Sequence, residues 1–163
     1  MIDNLVRMDA PGTIRLREGE RQLVLDECQA LLSRPLPAPT NGLYNRLLGA
    51  AEQGVVPADL HEPLQALLEV GMQSGRIRSE YGAHAEMDAT RLYSRLPRGK
   101  LYHQSIEAAN ETIRTLAGLE LDEIAFRPRG PGSCSLTLQA GGRRIGISIA
   151  RGGLTVDSVE TSV

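Results

Sequence analysis

At 163 residues, 41% of them hydrophobic, and with a formal net charge of −2, the chain has material for one ordinary globular domain, or for a helical part and a sheet part that share a core. No apolar run reaches the ~18 residues that a membrane span requires, and the balanced charge lacks the strong basicity of a nucleic-acid tail. Cys28 and Cys134 lie far apart in a chain whose opening residues, MIDNLVRMDAP, carry acids where a secretory leader would be positive, so reduced thiols and a cytoplasmic location are expected.

In chain order, Ile14 and Leu16 alternate with Arg15 and Arg17, and Glu18-Gly19-Glu20 can turn. From Glu20 the residues Val24, Cys28, Leu31 and Leu32 fall on one helical face, which favours strand, turn and then helix to about Leu32 over a hairpin ending at Leu25. Residues 33–41, SRPLPAPTN, hold three prolines and read as a stiff linker. Three helices are predicted next. The first is capped by Asn41, carries Leu43, Leu47, Leu48 and Ala51, and ends at Gly54. The second is capped by Asp59, tolerates Pro63 in its first turn, and turns Leu60, Leu64, Leu67, Leu68 and Gly71 inward to about Ser74. The third spans 83–96 after a short strand at 76–79, with Pro97 as its stop. A further helix at 101–117 keeps Tyr102, Ile106, Ala109, Ile113 and Leu116 on one face, and Gly118 closes it.

From Leu121 the apolar period changes from helical to two. Ile124 and Phe126, then Cys134, Leu136 and Leu138, then Ile145, Ile147 and Ile149, then Leu154 and Val156 alternate with polar or small residues. The intervals, residues 128–132, 140–142 and 150–153, are short and rich in Gly or Pro, as hairpin turns require. The predicted fold is therefore α+β: a helical N-terminal part of four to five helices, followed by a four-stranded antiparallel meander backed by the helix at 101–117. Its two parts, 1–97 with the Pro-rich linker and 98–163, are expected to fold as one cooperative unit.

Within GRIRSEYGAHAEM, His84-Ala85-Glu86 has the H-x-E form in which a histidine ligates zinc and a glutamate shuttles protons, and the stretch resembles the zinc-dependent nucleoside and base deaminases. That resemblance implies His84 and Cys134 as metal ligands and Glu86 as the catalytic acid and base. The second half of the signature, P-C-x-x-C, has its nearest counterpart in Pro131-Gly132-Ser133-Cys134-Ser135, where Gly132 and Ser135 occupy both cysteine positions. Two protein ligands fall short of the three that catalytic zinc uses, and a polar first helical turn explains His84 and Glu86 without metal. His61 lacks the second histidine of H-E-x-x-H, and His103 with Glu107 reads as a solvent pair; a cluster of His61, His84 and His103 would need the fold to assemble it. No phosphate-cradling glycine loop and no nucleophile elbow is present.

Charge is uneven along the chain: residues 76–103 hold six bases against three acids, where residues 1–75 hold six against ten. Arg91, Arg95 and Arg98, with Lys100 beyond, share the geometry of a phosphate-contacting stripe, and equally that of a solvated helix face near its C-terminus. The last residues, 160–163, have the form of a C-terminal ligand for PDZ domains and read more simply as the end of the last strand. With no complete catalytic constellation and no cofactor motif, the sequence points to a non-enzymatic binding or assembly module. Such an adaptor or scaffold would self-associate or bind a protein partner through the sheet edge or the basic helix. The alternatives are a zinc-dependent deaminase-like enzyme using His84 and Glu86, and a nucleic-acid-binding protein using the basic segment 76–100.

Overall fold

The computed structural model describes residues 12–150 and 152–161, and the chain separates into two compact units between Pro97 and Arg98. The N-terminal residues 1–11, on which the leader argument rests, and the last two residues of the PDZ-like end lie outside the described residues.

The first unit is helical. A two-residue strand β1 (Ile14–Arg15) leads into α1 (Glu18–Leu32), followed by α2 (Ala38–Glu52), β2 (Val55–Val56), a 3-10 turn at Ala58–Leu60, α3 (His61–Gln73) and α4 (Arg76–Arg95). β1 pairs antiparallel with β2, Ile14 opposite Val56, so the early alternation is a strand whose partner comes after α2. Leu23, Val24, Cys28, Leu47, Leu64, Leu68, Ile77, Leu92 and Leu96 are buried together as its core. Arg21 of α1 donates to the carbonyls of Ala51 and Glu52 at 3.1 and 2.7 Å, placing a cation at the negative end of α2.

Four predicted details are corrected here. The linker is shorter, because Pro37 precedes α2 and Pro39 sits in its first turn, where a missing N–H has no helical partner to lose. Asn41 therefore lies inside α2, where its carbonyl and side-chain oxygens accept from Asn45 Nδ2, and it caps nothing. Asp59 does not cap α3, since it belongs to the 3-10 turn and its carboxylate is held by Arg46. Residues 76–79 are helical rather than extended because Ile77 is fully buried in the core, and the break expected before Ala83 survives as a kink at Gly82, whose φ of 86° only glycine adopts easily.

The second unit is the predicted helix on a meander. Its helix α5 spans Pro97–Arg114, with Pro97 opening the first turn, and the chain winds on through tighter i to i−3 bonds as far as Leu119. Strands β3 (Leu121–Gly130), β4 (Ser133–Ala140), β5 (Arg143–Ala150) and β6 (Gly153–Thr161) pair antiparallel in sequence order. Both residues of the β4–β5 turn, Gly141 and Gly142, have positive φ, as the tightest hairpins demand. Ala109 and Leu116 of the helical segment bury Leu138, Ala140, Ile145 and Ile147 of the sheet, with Ile113, Leu136, Leu154 and Val156 packed around them.

Helices α3 and α4 meet closely at Gly71, where an added Cβ would stand 2.7 Å from Ile77 Cδ1 and 3.1 Å from Glu27 Oε2. Gly71→Ala is expected to destabilise the protein by about 1–3 kcal/mol through overpacking. Gly49→Ala in α2, where a Cβ meets nothing within 4 Å, is expected to be stabilising by a few tenths to about 1 kcal/mol. Urea denaturation of the two variants checks both signs.

Candidate functional site

Among the described residues two carboxylates are fully buried in the first unit, and both lie on α1. Glu20 and Glu27 stand seven residues apart, two helical turns along one face, on the stripe that also carries Val24. Each is met by an arginine of α4. Arg95 Nη2 donates to Glu20 Oε2 and its Nη1 reaches the Arg15 carbonyl at 2.8 Å, while Arg76 grips Glu27 with both Nη atoms, one at 2.6 Å from Oε1. Glu20 also accepts the Arg17 backbone N–H at 2.8 Å, closing the first turn of α1. The remaining oxygen of Glu20 and the Nε of Arg95 are buried without a partner in the structure.

These pairs perturb their neighbours. Bonding to Glu27 raises the Arg76 pKa and keeps the guanidinium charged, while Tyr81 is pushed up first by burial and then by the Glu27 carboxylate. Cys28, buried in the core beside Glu27, has its pKa raised to about 12, burial being the larger cause. Tyr44 is raised as well, by burial and by Cys28. A thiol so protonated is a core residue and a poor nucleophile.

The other predicted site residues are dispersed. His84 is exposed on α4 just after the kink, and Glu86 accepts from Arg78 Nη1 at 2.9 Å across that kink. Residues two apart on a helix do not face one another, so His84 and Glu86 share no single face. Cys134 is a partly buried β4 residue of the second unit, on the helix-facing side of the sheet with Leu136. Among the described residues no group of three or more His, Cys, Asp or Glu side chains is placed to hold a metal ion. His103 and Glu107 form an exposed pair at 3.7 Å.

The basic stripe is also redistributed. Arg91 is exposed and pairs with Asp88 at 3.0 Å, whereas Arg95 turns inward to Glu20; Arg98 and Lys100 are exposed on α5, in the other unit. Nothing in the local sequence distinguishes Arg95 from Arg91, and the only signal for its role was a pair of glutamates set among the apolar positions of α1.

Three concavities among the described residues bear on a binding site. A cleft in the first unit, lined by Leu31, Arg34, Tyr44, Leu67, Val70 and Arg76, measures about 180 Å³, well under the ~300 Å³ at which ligand pockets begin. On the polar face of the sheet an open hollow of about 430 Å³ is bordered by Arg127, Arg129, Arg144, Asp157 and Glu160. A third, about 620 Å³, runs between α5 and the sheet and is lined by Ile113, Leu116, Leu119, Leu121 and Leu138.

That groove continues onto an uncovered apolar strand. Ile124 and Phe126 of β3 stand opposite Leu138 and Leu136, on the face that α5 buries elsewhere, yet they are 57% and 65% exposed, and Leu121 is 52% exposed. Strands lie about 4.8 Å apart and a helix with its side chains is about 10 Å across, so one helix covers roughly two to three strands. α5 covers β4, β5 and part of β6, and β3 is left over. Comparison of the chain with protein-family models, with curated proteins and with solved structures finds no match.

Glu27→Ala, which leaves the partly buried Arg76 with only the looser Glu80 contact at 3.9 Å, is expected to cost about 1–3 kcal/mol, against ~1 kcal/mol or less for Arg91→Ala at its exposed pair, both read from urea midpoints. The unfolded chain releases the Cys28 proton near 9.0 and the folded chain only near about 12. Its contribution to stability is therefore complete below the unfolded value and declines as pH rises toward the folded one. Melting temperature should fall as pH is raised from about 9 to about 11, and Cys28→Val should flatten that fall.

Proposed function

We propose that the protein is a non-enzymatic assembly module whose C-terminal sheet associates through its edge strand β3. The observation that carries this reading is the unfinished core of the second unit: Ile124 and Phe126 continue the apolar face of β4 and β5 but lack the helix that covers those strands. Contiguous exposed apolar surface at the centre of a sheet edge marks an association site, even where, as here, charged residues flank it at both ends. A strand added along β3 pairs its open backbone groups and shields one flank of Ile124 and Phe126, contributing a fraction of the ~1.5–3 kcal/mol that full burial of each side chain would give.

Support from charge is weaker elsewhere. Arg95 is committed to Glu20 and Arg91 to Asp88, which takes two of the four basic residues out of any partner-binding stripe. The assembly reading rests on the sheet alone.

Sedimentation velocity of the purified chain from about 1 to about 100 µM is expected to show a species larger than the monomer, and Phe126→Asp is expected to return it to the monomer with an unchanged circular dichroism spectrum. A wild-type chain that stays monomeric up to about 100 µM would remove the reading.

A further inference from the structure

The edge strand carries its own complement. Reading β3 from Asp122 to Arg129, DEIAFRPR, acids occupy one end, bases the other, and Ile124-Ala125-Phe126 the centre. Strand β3 pairs only with β4 in the sheet of the described residues, and the β4 register assigns its faces. Glu123, Ala125 and Arg127 stand opposite Gln139, Thr137 and Ser135 on the polar side, and Ile124 and Phe126 opposite Leu138 and Leu136 on the helix side.

We infer that the partner is a second copy of this chain, joined by antiparallel pairing of β3 with β3 about a two-fold axis through Ala125, so that two sheets become one continuous sheet. This rests on the assembly reading and adds its partner and register. In that register Glu123 lies opposite the partner's Arg127, and Arg127 opposite the partner's Glu123. On the other face Ile124 lies opposite the partner's Phe126, and Phe126 opposite the partner's Ile124. Two opposite-charge pairs and two aromatic to β-branched pairs form at once, each a favourable cross-strand combination.

Other registers lose these matches. A slip of one residue sets the apolar face of one copy against the polar face of the other. An axis at Ile124 places Glu123 against Ala125. An axis at Phe126 sets Glu123 against Arg129, a base already paired with Asp157 at 3.7 Å beyond a register shift in β3, and it places Ile124 against Pro128, which has no N–H to donate, and Ala125 against Arg127. The opposite edge is not self-complementary, because β6 carries Asp157 and Glu160 and no base, so pairing with its own copy brings like charges together. A two-fold interface uses one patch on both copies and closes as a dimer, leaving no open edge of this kind to propagate.

The test uses the full-length chain. In a Cys134→Ser background, Ala125→Cys places two thiols across the axis at the separation of directly opposed antiparallel residues, ~4.5–5.5 Å between Cα atoms, within disulfide reach. Mild oxidation is expected to yield a covalent dimer from this variant and not from Thr137→Cys in the same background. Glu123→Arg and Arg127→Glu, each of which creates two like-charge pairs, are expected to weaken dimerisation roughly tenfold. The double variant E123R/R127E restores both pairs and is expected to return within about threefold of wild type. A dimer whose Ala125→Cys variant fails to cross-link, or whose single and double charge variants are equally weakened, overturns this register while leaving assembly standing. Growth beyond a dimer that survives Ala125→Cys cross-linking overturns the closed two-fold arrangement. A chain monomeric up to about 100 µM overturns both this inference and the assembly reading.

Discussion

The first unit depends on two charges placed where charge is least welcome. Glu20 and Glu27 are fully buried on α1, and the arginines that meet them, Arg95 and Arg76, stand at the two ends of α4. Buried ion pairs contribute little net stability, since desolvation offsets most of the Coulomb attraction. Their effect on alignment is larger. If α4 slid one turn along α1, both carboxylates would lose their partners inside the core, and an unpaired buried charge costs several kcal/mol. The antiparallel α1 to α4 contact thus has one register. The arginines also bracket Gly82, so the two halves of α4 are each anchored on their own side of the kink. Where the helices approach, Gly19 lies directly against the Asp88 side chain, which would have to shift to admit a Cβ.

The second unit solves a different problem with different means. It holds no buried ion pair of that kind among its described residues; its core is aliphatic, Leu138, Ile145 and Ile147 under Ala109 and Leu116. What limits it is geometry, because a single helix is narrower than four strands. The helix lies over the strands whose residues are most uniformly apolar, and the strand left uncovered is the one with charge at both ends. Charge at the ends of an edge strand guards against indiscriminate pairing, and in the proposed assembly it favours the register that matches acid to base. Pro128, near the end of β3, narrows the choice further by removing a donor.

Much of this was legible in the residues. The meander was readable because alternation reports strand faces directly and the glycines and prolines between the runs leave only tight turns; the helix at 101–117 was readable from its stripe. Reading failed at the points where a local rule met a distant contact. Asn41 and Asp59 have cap chemistry, but α2 starts earlier, at Ala38, and Asp59 is taken by Arg46. Arg76 to Ser79 has little helical stripe of its own, yet it winds because Ile77 and Arg76 have partners on α1 and α3. Arg95 resembled a solvated stripe residue because its partner, Glu20, lies 75 residues earlier in the chain.

The sequence by itself determined the α+β class and the order of the strands, because periodicity and turn residues are properties of neighbours along the chain. Only the tertiary structure decided which arginines serve the core and which face of which strand stays open. Burial belongs to the packed chain, and a carboxylate, an arginine or a phenylalanine has the same local signature whether its partner is water, another helix or nothing at all.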